Sequence, residues 1–207
     1  MTYTSIKSII IDIGVLSELR WLNTEVTLLI TQLDFAILNF IQNNLTNSFT
    51  DMFMRFFTHL GDYGALWIIT AVVMLMFKKT RKAGLCLAVS LVATAVIGNV
   101  ILKNVFARLR PFIVENFPII ISPPGGYSFP SGHTSSSFAA ATSLSLHYKK
   151  YAAAFYIVAA LIGFSRIYLY VHYPSDVVAG AILGVVVSVV CHKILESDSC
   201  LSIRVQN

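Results

Sequence analysis

PSGHTSSSFAAA, residues 130–141, joins a loop rich in Pro, Gly and Ser to a run of small residues. The pattern predicts the start of a helix, because Ser131 is a favourable N-cap and Gly132 lets the backbone come close to a ligand. The free N–H groups of a first helical turn, with the positive end of the helix dipole, favour a bound phosphate. His133 lies at this end and can give or take a proton. The alternative is an ordinary capped helix with an incidental histidine, and the rest of the chain distinguishes the two.

The composition around this stretch is that of an integral membrane protein. Hydrophobic residues make up 56% of the 207 residues and charged residues 12%, whereas soluble domains average roughly 25% charged. The mean hydropathy is +0.73. The net charge of +5 does not indicate a nucleic-acid-binding surface, because the basic residues are scattered or lie at the ends of apolar runs.

Acidic residues and cysteines, which could take part in catalysis or metal binding, are few in the apolar region. Between Asp62 and Glu196 the only acids are Glu115 and Asp176, and an acid in so apolar a region is a candidate functional residue. Three cysteines have neither metal-binding nor redox spacing: Cys86, Cys191 and Cys200. Two of them fall in apolar runs, where we interpret them as packing residues.

Five apolar runs lie beyond residue 60, each near the ~20 residues that a helix needs to cross the hydrocarbon core. They are approximately Tyr63–Phe77, Ala83–Leu102, Gly132–Tyr148, Tyr151–Val171 and Pro174–Leu195. The third is rich in Ser, Thr and Ala, and small residues let helices approach closely in lipid, so we place it at the centre. The prediction is an all-α polytopic membrane bundle with five core transmembrane helices. It divides the chain into an interfacial segment, a transmembrane core and a short tail: 1–60, 61–196 and 197–207.

The N-terminal segment is predicted to lie at the membrane surface. Ser5–Leu22 is weakly amphipathic. Val26–Ile41 contains Asp34, and a charge at the bilayer centre costs about 2.5–3.5 kcal/mol, so we expect an interfacial helix. A sixth span is the alternative, and it would move the N-terminus to the other side of the membrane.

The stretch Phe49–Leu60 has the periodicity of an amphipathic helix, with aromatic residues on one face. Ser48 and Asp51 are predicted to form its capping box, and Gly61 to end it. We expect an interfacial helix whose aromatic face contacts lipid or the bundle.

Basic residues outside the runs predict the orientation. Three groups fall on one side if the spans alternate, and the positive-inside rule makes that side cytoplasmic. They are Lys78, Lys79, Arg81 and Lys82, then Lys149 and Lys150, then Lys193. Alternation places the remaining polar residues together on the outer side: Lys103, Arg108, Arg110, His133, Arg166, His172 and Asp176.

Three of these outer residues, Lys103, Arg110 and Arg166, are candidate ligands of one anion. A single Lys or Arg at a helix end most often extends to the interface. Two arginines and a lysine together can hold three phosphoryl oxygens and neutralise the charge that develops in the transition state.

His172 and Asp176 form a candidate catalytic pair. Asp176 can accept the N–H of one ring nitrogen, which leaves the lone pair of the other free for nucleophilic attack. Two histidines and a carboxylate are also a set of metal ligands, but three adjacent cations would repel a divalent ion. We therefore expect an anion-binding site with no metal and no cofactor.

Three segments resemble, at full spacing, the signatures of the PAP2 (type 2 phosphatidic acid phosphatase) superfamily. They are KNVFARLRP at 103–111, PSGH at 130–133 and SRIYLYVHYPSD at 165–176. The resemblance covers about residues 60–195. It implies a membrane-embedded helical bundle and a metal-independent phosphatase that works through a phosphohistidine, with a site architecture shared with soluble vanadium haloperoxidases.

The resemblance also implies roles for single residues. His172 is similar to the family's nucleophile, Asp176 to its orienting partner and His133 to its general acid. The implied phosphate ligands are Lys103, Arg110 and Arg166, with the backbone at Ser131 and Gly132. Arg108 occupies a variable position of the first motif and is left outside this set.

The expected activity is hydrolysis of a lipid phosphate or diphosphate at the outer face of the cell membrane. The compact length is similar to that of bacterial undecaprenyl-diphosphate phosphatases, which makes undecaprenyl diphosphate the expected substrate. Phosphatidylglycerophosphate and phosphatidic acid are the alternatives, since the motifs recognise phosphate and not the lipid tail. Phosphoryl transfer and non-catalytic binding or transport of lipid phosphates also stay open. The expected partners are the substrate and membrane lipids, with no nucleic acid, and the oligomeric state is not predicted.

Overall fold

The structure, a computed structural model, describes residues 25–204, with side chains described for residues 25–196. All regular elements within this range are helical. The described residues form nine α-helices: α1 (25–44), α2 (Ser48–Leu60), α3 (Ala65–Met76), α4 (Arg81–Ala95), α5 (Lys103–Phe106), α6 (Pro111–Val114), α7 (Gly132–His147), α8 (Ala152–Tyr168) and α9 (Pro174–Arg204). A π-helical turn, Val96–Leu102, joins α4 to α5. The prediction for Ser5–Leu22 lies outside the described residues.

Helix α7 is the centre of the bundle, packed against α4, α8 and α9. Its contact with α9 is backbone to backbone. A Cβ added at Gly184 would lie 2.3 Å from the carbonyl oxygen of Ser135, and one at Gly180 would lie 2.7 Å from that of Ser131. Small residues on both helices therefore set the distance between the two helix axes, as the sequence predicts.

The all-α membrane bundle is confirmed, whereas the number of spans is not. Within the part of the chain that the structure describes, three helical stretches are long and apolar enough to cross a membrane: Arg81–Val114, Lys149–Tyr168 and Pro174–Glu196. The predicted span at Tyr63–Phe77 is shorter, because Asp62–Gly64 form a 3₁₀ turn and α3 has 12 residues. Together with α2, across a bend of 42°, it forms a broken span or a re-entrant pair. Helix α7, with 16 residues, is short of the ~20 that a full crossing needs.

Helix α2 is amphipathic as predicted, but its cap differs. Asn47 is the N-cap and forms the capping box with Thr50, so the prediction of Ser48 and Asp51 is wrong. The carboxylate of Asp51 instead accepts a hydrogen bond from the hydroxyl of Tyr168 on α8, at 2.6 Å. Ser and Asn are about equally good caps, and this tertiary contact uses Asp51 elsewhere.

The two faces of α2 have different surroundings. Met54 and Thr58 are buried on the bundle side. Phe49, Met52 and Phe56 are 69%, 64% and 59% exposed. Phe49, Met52 and Phe56 therefore point away from the bundle, whereas Phe57 and Leu60 of the same helix pack against the buried cluster that contains Trp67.

Candidate active site

His172 lies in the turn between α8 and α9 and is fully buried. Its Nδ1 is 3.4 Å from Oδ2 of Asp176 and 3.3 Å from the hydroxyl of Ser128, which itself donates to Asp176. Its Nε2 lies 3.0 Å from Nη1 of Arg110, which can only donate. The proton of a neutral ring therefore sits on Nδ1, and the lone pair of Nε2 faces the cations.

Asp176 is held by the start of α9. Pro174 is the first residue of that helix, and a carboxylate in the first turn can accept the N–H of the residue that precedes the helix. Oδ2 of Asp176 accepts the N–H of Tyr173 at 3.0 Å. The short spacing from His172 to Asp176 thus puts the acid beside the ring.

Arg110 holds the loop that closes over His172. Its guanidinium donates to the carbonyl oxygens of Gly125, Gly126 and Val171, each at 3.0 Å. The side chain is buried, with 3% of its surface exposed. Arg110 therefore fixes the loop, and its Nη1 is directed at His172.

Arg166 and Lys103 complete the cationic side of the site. Arg166 is in the last turn of α8 and donates to the hydroxyl of Thr58 on α2. Its Nε is buried and has no hydrogen-bond partner among the described residues. Lys103 directly follows the π-helical turn and interacts electrostatically with Arg110, Arg166 and Asp176. A buried guanidinium with an unused donor, next to two further cations, is suited to an anion.

His133 is placed by α7 near the same cations and has an acidic partner that the sequence did not reveal. Its Nε2 lies 2.9 Å from Oδ1 of Asp62, whose other oxygen is 2.8 Å from Nδ1 of His59. A Cβ at Gly61 would lie 2.7 Å from the ring of His133, so this turn needs glycine for the close approach. The rarity of acids in the apolar region was the signal that could have singled out Asp62.

Helix α7 starts as predicted, but one of the backbone N–H groups at its start already donates a hydrogen bond inside the protein. Ser131 is the N-cap, and its side chain accepts from Thr134. The N–H of Ser131 donates to the carbonyl oxygen of Asp176 at 3.1 Å and so is already used inside the protein. A Cβ at Gly132 would lie 2.7 Å from Oδ1 of Asn99, so glycine here makes room for that side chain. The N–H groups of Gly132 and His133 belong to the first turn, which has no intrahelical acceptors.

Arg108, set aside on the sequence, is part of the site. It donates to Asp176 at 2.7 Å and to Asp34 of α1 at 2.7 Å. Asp34 is 3% exposed and also accepts from the N–H of Ser175. The charge of Asp34, which argued against a membrane span at residues 26–41, is thus compensated by Arg108.

The electrostatics keep His172 neutral. Burial, and then the positive charges of Arg110, Arg166 and Lys103, hold the pKa of His172 well below its ordinary value. A buried neutral imidazole, with one nitrogen tied to a carboxylate and the other aimed at three cations, can attack an anion that those cations bind.

Comparisons with known proteins agree with this geometry. The family model described as the PAP2 superfamily matches residues 83–199. The chain is 41% identical to the undecaprenyl-diphosphatase of Sulfolobus acidocaldarius over 129 residues, which are 60% of this chain and 62% of that relative. The chain thus spans about three fifths of the length of that relative.

Two further comparisons cover more of the chain. It is 33% identical to the lipid A 4′-phosphatase of Bacteroides thetaiotaomicron over 171 residues, 75% of this chain and 73% of the relative. Among solved structures, the transmembrane PAP2-type phosphatidylglycerolphosphate phosphatase of Bacillus subtilis superposes with a TM-score of 0.65 at 27% identity. That superposition covers 81% of this chain and 86% of the other.

Proposed function

The chain belongs to the PAP2 superfamily, and on that premise we propose that it is a metal-independent phosphatase that hydrolyses a lipid phosphate or diphosphate through a phosphohistidine at His172. The observation that carries the proposal is the position of Nε2 of His172. This nitrogen is 3.0 Å from Nη1 of Arg110, and the ring also interacts electrostatically with Arg166 and Lys103. A terminal phosphoryl group held by Arg110, Arg166 and Lys103 brings its phosphorus to this nitrogen.

The first step transfers the phosphoryl group to the protein. The lone pair of Nε2 of His172 forms the N–P bond while the P–O bond to the lipid breaks in line with it. The departing oxygen takes a proton from His133. Since Nε2 of His133 is bonded to Asp62, that proton comes from Nδ1. The carboxylate favours the protonated ring, whereas burial and the charge of Arg166 oppose it.

The second step regenerates the protein. His133, now neutral, takes a proton from a water molecule whose oxygen attacks the phosphorus, and the N–P bond to His172 breaks. Inorganic phosphate leaves. The cations stabilise the equatorial oxygens in both steps, so one arrangement of charges serves two transition states.

For the substrate we propose undecaprenyl diphosphate, presented at the outer face of the cell membrane. The Sulfolobus acidocaldarius relative, which is named an undecaprenyl-diphosphatase and is 41% identical over the matched residues, supports a diphosphate substrate. The distribution of basic residues supports the outer face, because the Lys78–Lys82 cluster lies at the end of the bundle away from His172. A glycerolipid phosphate is the second candidate, because the solved phosphatidylglycerolphosphate phosphatase has the same fold.

The experiment is phosphate release by purified protein in detergent with excess chelator. Undecaprenyl diphosphate, phosphatidylglycerophosphate, phosphatidic acid and lipid A are compared, each with His172→Ala as the matched inactive variant. We expect release that survives the chelator, is fastest with the diphosphate and is lost in the variant. Preference for a glycerolipid would change the substrate and keep the mechanism. Absence of release from all four lipids would overturn the hydrolytic function.

A further inference from the structure

Three side chains that can ligate metals meet at the end of the bundle opposite the active site. Cys86 is on α4, His147 is the last residue of α7, and His192 is on α9. Each offers one ligand atom, and the three atoms lie within 4.8 Å of one another. Since α7 has 16 residues and rises about 1.5 Å per residue, His147 is more than 20 Å from the phosphate-binding start of that helix.

A hydrogen bond at His147 and an ion-pair contact at His192 each engage one ring nitrogen and leave the other unused. Nδ1 of His147 lies 3.0 Å from the carbonyl oxygen of Ser143, which only accepts, so the proton is on Nδ1. Nε2 of His192 lies 3.4 Å from the carboxylate of Glu196. The nitrogens left over, Nε2 of His147 and Nδ1 of His192, are buried and have no hydrogen-bond partner among the described residues.

This arrangement has two features of a metal site. A metal-bound histidine almost always donates its other N–H to a carbonyl or a carboxylate, as His147 does and as Glu196 allows for His192. The thiol of Cys86 is free and 1% exposed, next to the two unused nitrogens. Buried polar atoms are normally paired, so two orphan nitrogens beside a buried thiol indicate a missing ligand.

We propose that Cys86, His147 and His192 bind one divalent ion of the zinc class, through the sulfur and the two unused nitrogens. One thiolate and two imidazoles suit zinc and exclude the hard cations magnesium and calcium, which take oxygen ligands. Zn–N and Zn–S bonds of about 2.0–2.3 Å require the three side chains to draw together around the ion. A fourth position is left for water.

The ion would link three helices, two of which carry active-site residues at their other ends. Helix α7 presents His133, and α9 presents Asp176. The site contributes no group to phosphoryl transfer, so its role is to hold the inner ends of α4, α7 and α9 together. Metal loading should therefore raise thermal stability and leave the phosphatase reaction metal-independent.

The test uses full-length protein purified without a histidine tag, stripped with chelator and titrated with Co²⁺. We expect one equivalent to bind, with a thiolate-to-cobalt charge-transfer band that Zn²⁺ abolishes. Cys86→Ser should lose this band. Cys191→Ser, which removes the free thiol next to His192, should keep it.

A second readout is thermal unfolding with and without Zn²⁺. The wild-type midpoint should rise with Zn²⁺, and that of His147→Gln should not. If Cys86→Ser does not fold, the cobalt titration of the wild-type protein tests the proposal, through the presence or absence of the charge-transfer band. No charge-transfer band in the wild type, or a band that persists in folded Cys86→Ser, would overturn the proposal.

Discussion

The guanidinium of Arg108 lies 2.7 Å from the carboxylate of Asp176, the residue that orients His172. The same guanidinium is 2.7 Å from Asp34, on a helix that precedes the matched family core. The two carboxylates are 0% and 4% exposed, so both depend on Arg108 for charge compensation. A helix in the N-terminal part of the chain therefore helps to hold the arginine that pairs with Asp176.

Removing this support should reduce both stability and turnover. Arg108→Ala leaves two buried carboxylates unpaired, and breaking such a pair typically costs about 3–5 kcal/mol. Unfolding experiments measure the loss of stability, and steady-state kinetics measure the loss of turnover. We expect kcat to fall more than KM rises, because the change misplaces Asp176 and does not remove a substrate ligand. Arg55→Ala, an exposed arginine on α2, is the control. Equal effects of the two changes would show that Arg108 has no special role.

The link to α1 can be isolated with Asp34→Asn. This change keeps the contact of Arg108 with Asp176 and removes one charge. In a double-mutant cycle with Arg108→Gln, we expect a coupling free energy of about 0.5–3 kcal/mol. If the effects of the two substitutions on the free energy of unfolding were additive, the contact between Arg108 and Asp34 would not contribute to stability.

The proton from His133 should matter only for poor leaving groups. His133→Ala should slow hydrolysis of a lipid phosphate by about 10²–10⁴-fold, the usual contribution of general acid catalysis. With a nitrophenyl phosphate, whose leaving group needs no proton, His133→Ala should still give a burst of one nitrophenol per site. Asp62→Asn should show the same pattern more weakly. If His133→Ala abolished the nitrophenol burst as strongly as it slowed hydrolysis of the lipid phosphate, the general-acid role would be excluded.

The low pKa of His172 predicts a specific pH dependence of stability. In the unfolded chain this histidine takes up a proton below about pH 6.5, whereas the folded protein resists protonation to lower pH. Since the unfolded state then binds more protons, the stability present above pH 6.5 decreases as the pH falls through that value. His172→Gln should lose less stability than the wild type between pH 7.5 and 5.5 in thermal unfolding. If stability depended on pH in the same way in the wild type and in His172→Gln, the result would contradict a buried, neutral His172.

The contact between α7 and α9 should not tolerate a methyl group. Gly184→Ala would place a Cβ 2.3 Å from the carbonyl oxygen of Ser135, so the helices must separate. Overpacking typically costs about 1–3 kcal/mol, and we expect a lower unfolding midpoint with weaker activity. Gly125→Ala is the matched control, because a Cβ there meets nothing within 4 Å. Equal midpoints for the two variants would show that the approach of α7 to α9 is adjustable.

What the sequence predicted correctly was local or compositional. The start of α7 at Ser131, the apolar runs and the spacing of His172 and Asp176 all follow from residues close together in the chain. The meeting of Lys103, Arg110 and Arg166 was predicted from the alternation of five spans, a number that the structure does not confirm. These features needed no knowledge of how the helices pack.

What the sequence did not predict depends on distant partners. Asp34 and Ser175 are 141 positions apart, and Asp62 and His133 are 71 apart. Ser128 has no motif of its own, and its role appears only when its hydroxyl reaches Asp176. The sequence alone offered no partner for Asp34, because Arg108 lies 74 positions away in the chain.

The most direct test of the central claim is rapid-quench trapping with a lipid phosphate labelled at its terminal phosphorus. The account predicts a phosphoprotein that forms within the first turnover, is labile to acid and stable to alkali, and maps to His172. The label should be absent from His172→Ala under the same conditions. A protein that turns over without labelled intermediate, or one whose His172→Ala variant carries the same label, would contradict the phosphohistidine mechanism.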